Sequence, residues 1–143
     1  MLRIITLLNQ KNHYLEKFYS LNEAEILNFS QGFFENLESF YKNRESILEM
    51  IKFLDAELDQ VQRNTGEAEA QSMKIETRRE IQAAMAVKDE YVNRILAQDL
   101  EILSCIENAK TLIIRELQEV KKNKKVVGSY KSKTFNRRLD EEV

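Results

Sequence analysis

The sequence has no proline and no tryptophan, only three glycines, and a single cysteine and a single histidine. Each shortage closes off a class of structure or chemistry. Without proline nothing forces a break in a helix, and Gly32, Gly66 and Gly128 supply little for the tight turns of a sheet. Cys105 has no partner for an internal disulfide, which fits a reducing compartment, and its ordinary role is that of a small apolar residue in a helix. With His13 the only imidazole and no Glu-x-x-His pair in the chain, the ligand set of di-iron helical bundles is excluded. A Cys or Ser nucleophile likewise lacks a nearby histidine base, and there is no glycine-rich phosphate loop. No metal, no cofactor, no catalytic residue and hence no enzyme activity is expected.

Long hydrophobic runs are also missing. No stretch approaches the roughly 18 to 20 uncharged apolar residues that cross a membrane. The opening run from Met1 to Leu8 meets polar Asn9, Gln10 and Lys11 too soon for a signal peptide. A cytoplasmic protein without membrane insertion is expected.

What the chain has is charge and helical periodicity. Charged residues make up 32% and hydrophobic residues 43% of its 143 positions, a mixture that suits long amphipathic helices rather than a disordered chain. After Gly32 the residues Phe33, Leu37, Phe40, Arg44, Ile47, Ile51, Leu54, Leu58 and Val61 recur on alternating steps of four and three, a heptad seam with one polar member. Phe34, Tyr41 and Leu48 widen that stripe enough for two packing neighbours. A second seam runs through Ile81, Met85, Lys88, Val92, Ile95, Asp99, Ile102, Ile106, Ala109, Ile113, Glu116 and Val120. Residues 2 to 30 are less regular, yet Ile4, Leu8, Leu15 and Phe18 share one face. Ser20-Leu21-Asn22-Glu23 and Thr77-Arg78-Arg79-Glu80 have the spacing of capping boxes, and Gly32 and Gly66 fit helix ends.

These patterns predict an all-α fold: an antiparallel bundle of three long helices at about 2–30, 33–64 and 77–126. At ~1.5 Å per residue the third would be roughly 75 Å long against ~48 Å for the second, so it should overhang. Residues 1–127 are read as the bundle domain and 128–143 as a flexible basic tail. The stretch 121–143 carries eight basic and three acidic residues, leaving the remainder of the chain with a net charge of −7. Carboxylates such as Glu67, Glu69, Glu76 and Glu80 alternate with bases at helical spacing and read as solvated faces.

Two constellations stand out. Arg44 and Asp99 are the charges on their seams without an obvious local partner. If residue 64 faces residue 77 across the connecting loop, Arg44 lies within a turn of Asp99, which predicts a half-buried structural ion pair. The second is the overhang, where Leu112, Ile113, Ile114, Leu117, Val120, Val126 and Val127 need a cover that the second helix cannot supply. Self-association, the first helix or a partner helix laid into the groove are the alternatives. The basic stretch, with Tyr130 and Phe135 interleaved, also leaves open a nucleic-acid contact, although charge alone points no further than a solvated tail.

The helix order resembles that of the flagellar type III export chaperones of the FlgN family, with the FliT chaperones as close structural relatives. The likeness is carried by a long first helix ending at Gln31-Gly32-Phe33-Phe34-Glu35 and by Arg44 followed by Ile47-Leu48 and Ile51. It continues with Asp99 followed by Ile102 and Ile106 and the basic stretch leading into Gly128-Ser129-Tyr130. The resemblance implies a small cytoplasmic chaperone that holds an export substrate by its C-terminal helical region before secretion. The substrate would be a hook-filament junction or filament-cap protein. It implies that the last helix and tail bind substrate and export apparatus components, which falls here on Leu112, Ile113, Leu117, Val120 and Tyr130. A homodimer is left open, and the alternatives from other classes are a nucleic-acid-associated protein and a purely structural coiled-coil oligomer.

Overall fold

The computed structural model describes the backbone of residues 2–142 and the side chains of residues 2–125. It is all-helical, with no strand among the described residues. The elements are α1 (Leu2–Ser30), α2 (Leu37–Asn64), α3 (Glu67–Gln71) and α4 (Ile75–Glu142). The chain divides into two compact units, Met1–Cys105 and Ile106–Val143. The tail expected at 128–143, with Tyr130, lies outside the residues whose side chains are described.

Within Met1–Cys105, α1 turns out to be as regular as the other helices. Ile4, Leu8, Leu15, Phe18 and Phe29 are buried on steps of four and three that also pass through Lys11, Asn22 and Glu25. Asn22 and Glu25 are themselves buried. The periodicity was hidden because three of its eight members are polar. Nor does a capping box break the helix at Ser20: α1 continues unbroken to Ser30, with Ser20 exposed in its interior.

α1 ends where Gly32 adopts φ +75°, the left-handed conformation that costs a residue with a Cβ about 1–2 kcal/mol. Gly32 N–H donates to Phe29 O at 3.0 Å and Phe33 N–H to Asn28 O at 2.9 Å, the paired bonds of a Schellman motif. Phe34 then stacks on Phe29 with ring centroids 4.8 Å apart. This motif uses up Phe33 to Asn36, so α2 starts at Leu37 and not at 33.

At the other end of α2 the glycine reading fails. The helix stops at Asn64, but its cap is Thr65 in an extended conformation and Gly66 has φ −74°, so no left-handed residue is involved. The short α3 follows, and α4 begins at Ile75, which places Thr77 inside the helix and not at its cap. By its assigned bounds α4 runs to Glu142, beyond the 126 expected.

The seam of α2 from Leu37 to Val61 is buried or half-buried at every member. Tyr41 and Leu48, expected to widen the packing stripe, are exposed. The seam of α4 is rotated from its expected position. Ile81, Lys88, Ile95 and Ile102 lie on it, but the alternate members are Ala84, Tyr91, Gln98 and Cys105, while Met85 and Val92 are exposed. The reason is that α4 meets α1 along this second row: Asn12 Nδ2 donates to Ala84 O at 3.0 Å, Tyr19 lies 6.2 Å from Tyr91, and Asn22 bonds Gln98. A small Ala and a polar Gln there gave no hydrophobic signal.

The contacts also fix direction. Between α1 and α2 the numbers run in opposite senses, with Arg3 beside Glu57 and Lys11 beside Asp55. Between α1 and α4 they rise together, from Asn12 and Ala84 to Asn22 and Gln98. Two apolar clusters fill the interior. Ile4, Leu7, Leu8, Leu54, Leu58 and Ala84 form one, and Leu15, Phe18, Ile51 and Ile95 the other.

Candidate functional site

Arg44 is held by all three long helices. Its guanidinium NH2 lies 2.8 Å from Asp99 Oδ1 on α4, and its planar face sits 4.8 Å from the Phe18 ring of α1 and 5.2 Å from the Phe40 ring of α2. The Arg44 side chain is 17% exposed and that of Asp99 38%. Stacking on two aromatic faces explains why the guanidinium stays in the seam when it has the length to reach solvent. Such a pair aligns helices more than it stabilises them, because desolvation offsets much of the Coulomb gain.

One residue away on α4, Gln98 makes the complementary link to α1. Its Oε1 accepts from Asn22 Nδ2 at 3.0 Å, and its Nε2 donates to Tyr19 O at 3.0 Å and Glu23 Oε1 at 2.8 Å. Adjacent residues of one helix thus reach two different neighbours at the same level. Asn22 and Gln98 were not singled out from the sequence. The available signal was the recurrence of position 22 on the steps 15, 18, 22, 25 and 29, overlooked because its occupant is polar. Asn22 Oδ1 and Glu25 Oε1 are buried with no hydrogen-bond partner among the described residues. Glu25 accepts instead through Oε2, from Asn28 Nδ2 at 3.3 Å.

Among the described residues no three His, Cys, Asp or Glu side chains come together as metal ligands. No helix is long and apolar enough to cross a membrane among the described residues. His13 is exposed on α1, edge-on to Tyr14, and Cys105 is half-buried.

The residues expected to bind a partner are apolar and bare. In Ile106–Val143, Leu112, Ile113, Ile114, Leu117 and Val120 are 46–59% exposed. Ile113, Leu117 and Val120 follow steps of four and three, and Lys110, Arg115, Lys121 and Lys122 surround them, all exposed. Scattered exposed apolar residues are ordinary, but here five fall within nine positions of one helix, and Ile113, Leu117 and Val120 among them share one face, the pattern that marks a candidate interaction surface. Val126, Val127 and Tyr130 belong to the same expectation and lie outside the described side chains.

A second stripe, in Met1–Cys105, went unforeseen. Leu96, Leu100 and Leu103 are 58%, 71% and 59% exposed on successive turns of α4, and Tyr41 and Leu48 of α2 are 46% and 41% exposed. No family model, no curated protein and no solved structure matches the chain.

Proposed function

We propose that the protein is a cytoplasmic helical chaperone that sequesters an amphipathic helix of a flagellar axial protein before type III secretion. It acts by binding and catalyses no reaction. The observation that carries the reading is the exposure of Leu112, Ile113, Ile114, Leu117 and Val120, of which Ile113, Leu117 and Val120 stand at the spacing by which one helix receives another. The helix order supports it through its resemblance to the FlgN and FliT chaperones. On this reading α1, α2 and α4 form an antiparallel three-helix bundle that serves as a rigid mount. Arg44 and Asp99 keep its register, and Val126, Val127 and Tyr130 extend the binding row. The partners are hook-filament junction or filament-cap proteins and components of the export apparatus. Axial proteins need such a cover because their amphipathic termini otherwise assemble early, and a chaperone helix competes for the same apolar face.

The test is titration of the full chain with fluorescent peptides from the C-terminal helices of flagellar axial proteins. Replacing both Leu112 and Leu117 by Ser should weaken binding by about tenfold or more while leaving helicity unchanged. Peptides that fail to bind, or that bind the double variant equally well, would remove the reading. Recovery of nucleic acid with binding that falls steeply in salt would replace it with the basic stretch as the functional element.

A further inference from the structure

Within Met1–Cys105, α1, α2 and α4 together line a cleft of about 480 Å³. Its apolar lining is Ile4 and Leu8 of α1, Leu58 of α2, Ile81 and Met85 of α4, and Met73 just ahead of α4. Ile4, Leu8 and Leu58 are buried and form the floor, whereas Met85 is 43% exposed. From Ile4 to Lys11, and again from Ile81 to Lys88, the lining runs seven residues, about 10 Å of helix. A volume of this size belongs to small-molecule sites, roughly 300–1,000 Å³. Spread over that length it leaves room for one extended chain and not for a partner helix, which is itself about 10 Å across.

Charge gathers at one end of the cleft. The Arg44–Asp99 pair sets the level of α2 against α4. Eleven residues on along α2 and eleven back along α4, about three turns each, stand Asp55 and Lys88, a second opposed pair with the signs reversed. Both line the cleft, as does Lys11, and on its own helix each of the three is the outermost lining residue at the same end. Asp55 and Lys88 do not pair, because Asp55 Oδ1 is taken by Lys11 Nζ of α1 at 2.6 Å. Lys88 Nζ lies 3.2 Å from its chain neighbour Asp89, whose side chain is 67% exposed, and a pair with so solvated a partner holds its lysine weakly. The Lys11 and Lys88 side chains are nevertheless only 15% and 24% exposed. Asp59, the other acid of the lining, is exposed a turn farther along α2. Lys11, Asp55 and Lys88 thus leave one positive charge in excess at the end of an apolar cleft.

We propose that this cleft binds a medium-chain alkyl carboxylate. The Lys88 ammonium donates to the carboxylate in place of Asp89, and the alkyl chain lies along Leu8, Leu58 and Ile4 under Met85. The two methionines, unbranched and adaptable, can close over chains of slightly different length. The site uses none of Leu112, Ile113, Ile114, Leu117 and Val120 and does not rest on the chaperone reading.

Calorimetric titration of the full chain with decanoate, decanol and decylammonium tests this, each kept below the concentration at which it aggregates. Decanoate should bind one to one and about tenfold or more tighter than decanol, the difference expected of one charge-assisted hydrogen bond. Decylammonium, with the same chain and the opposite charge, should bind no better than decanol. Lys88→Met keeps an unbranched apolar stem in place and should bring decanoate down to the affinity of decanol. Met85→Trp, at an exposed position of the lining, fills the cleft and should weaken decanoate and decanol alike. Circular dichroism checks that both variants stay helical. In the amide NMR spectrum, shifts on adding decanoate should centre on Leu8, Leu58 and Met85. Absence of decanoate binding overturns the proposal, and so does equal affinity for acid and alcohol or a Lys88→Met variant that still prefers the acid. Shifts centred on Leu112 to Val120 also overturn it, because they assign the binding to adsorption on exposed apolar residues. Binding of axial-protein peptides is a separate readout, so either result leaves the chaperone reading to stand or fall by itself.

Discussion

The two ends of the Met1–Cys105 unit are built on the same heptad geometry but with opposite chemistry. At one end Ile4, Leu7 and Leu8 of α1 meet Leu54, Leu58 and Ala84, and the polar side chains nearby, Lys11 and Asn12, are only half-buried at the margin. At the other end the seam itself is polar. Asn22 and Gln98 are 0% and 3% exposed, and Arg44 lies between two aromatic rings and Asp99. The apolar end has little to distinguish one register from another, because a leucine slid by one heptad finds another aliphatic neighbour. The polar end penalises every register except the one that pairs Gln98 with Asn22 and Asp99 with Arg44, since a slip strands buried polar groups. Stability is concentrated at one end and alignment at the other.

The largest effect should come from the apolar end. Leu7, 1% exposed within its cluster, leaves a cavity when cut back, and Leu7→Ala should cost about 2–5 kcal/mol in urea unfolding. A loss below about 1 kcal/mol would mean that this end tolerates voids and that the proposed division of labour is wrong.

Next comes Arg44→Ala, which removes the ion pair and the stacking on Phe18 and Phe40 together. Because Asp99 is more than a third exposed, its stranded carboxylate keeps part of its hydration and the electrostatic share must be discounted. A total of about 1–3 kcal/mol is expected. Asp99→Asn should cost less than Arg44→Ala, since it leaves the stacking in place. Equal losses would show that the rings contribute nothing.

The buried amide pair sharpens the contrast further. Asn22→Leu alone leaves Gln98 Oε1 without its donor and should cost about 1–3 kcal/mol, whereas Asn22→Leu with Gln98→Leu removes both partners and should cost less than the sum of the single changes. If the pair exists to set register, the double variant should keep its stability but lose sharpness in its amide NMR spectrum. A double variant as well ordered as the wild type would reduce the pair to an incidental contact.

How far the sequence spoke for the structure follows the same division. Where a seam is apolar it could be read directly, as along α2 from Leu37 to Val61. The opposition of Arg44 and Asp99 was legible because Arg44 is the one polar member of its row, Asp99 is the charge near the middle of the other, and the loop length brought them to one level. The regularity of α1 was not, because Lys11, Asn22 and Glu25 occupy seam positions and periodicity arguments count only hydrophobic members. On α4 the row through Met85 and Val92 is the more apolar in sequence, yet the row of Ala84, Tyr91 and Gln98 faces α1. Hydrophobicity could not anticipate that a glutamine would be drawn inward by Asn22, Glu23 and the carbonyl of Tyr19. Leu112, Ile113, Ile114, Leu117 and Val120 drew attention in the sequence as an apolar run on the last helix, and each is about half exposed.

The smallest effects distinguish the two glycines, which look alike in sequence and differ in structure. Gly32 has φ +75° with nothing within 4 Å of an added Cβ, so Gly32→Ala meets no clash and its cost, about 1–2 kcal/mol, comes entirely from the left-handed backbone. Gly66 has φ −74° and equally open space. Gly66→Ala should therefore stabilise by about 0.4–1 kcal/mol, because it restricts the unfolded chain without straining the folded one. Since Gly32 seals the turn beside the polar end and Gly66 opens the connection beside the apolar end, the two changes should shift the urea midpoint in opposite directions. Shifts of the same sign would show that the glycine at one of these turns plays a different part from the one its backbone angle implies.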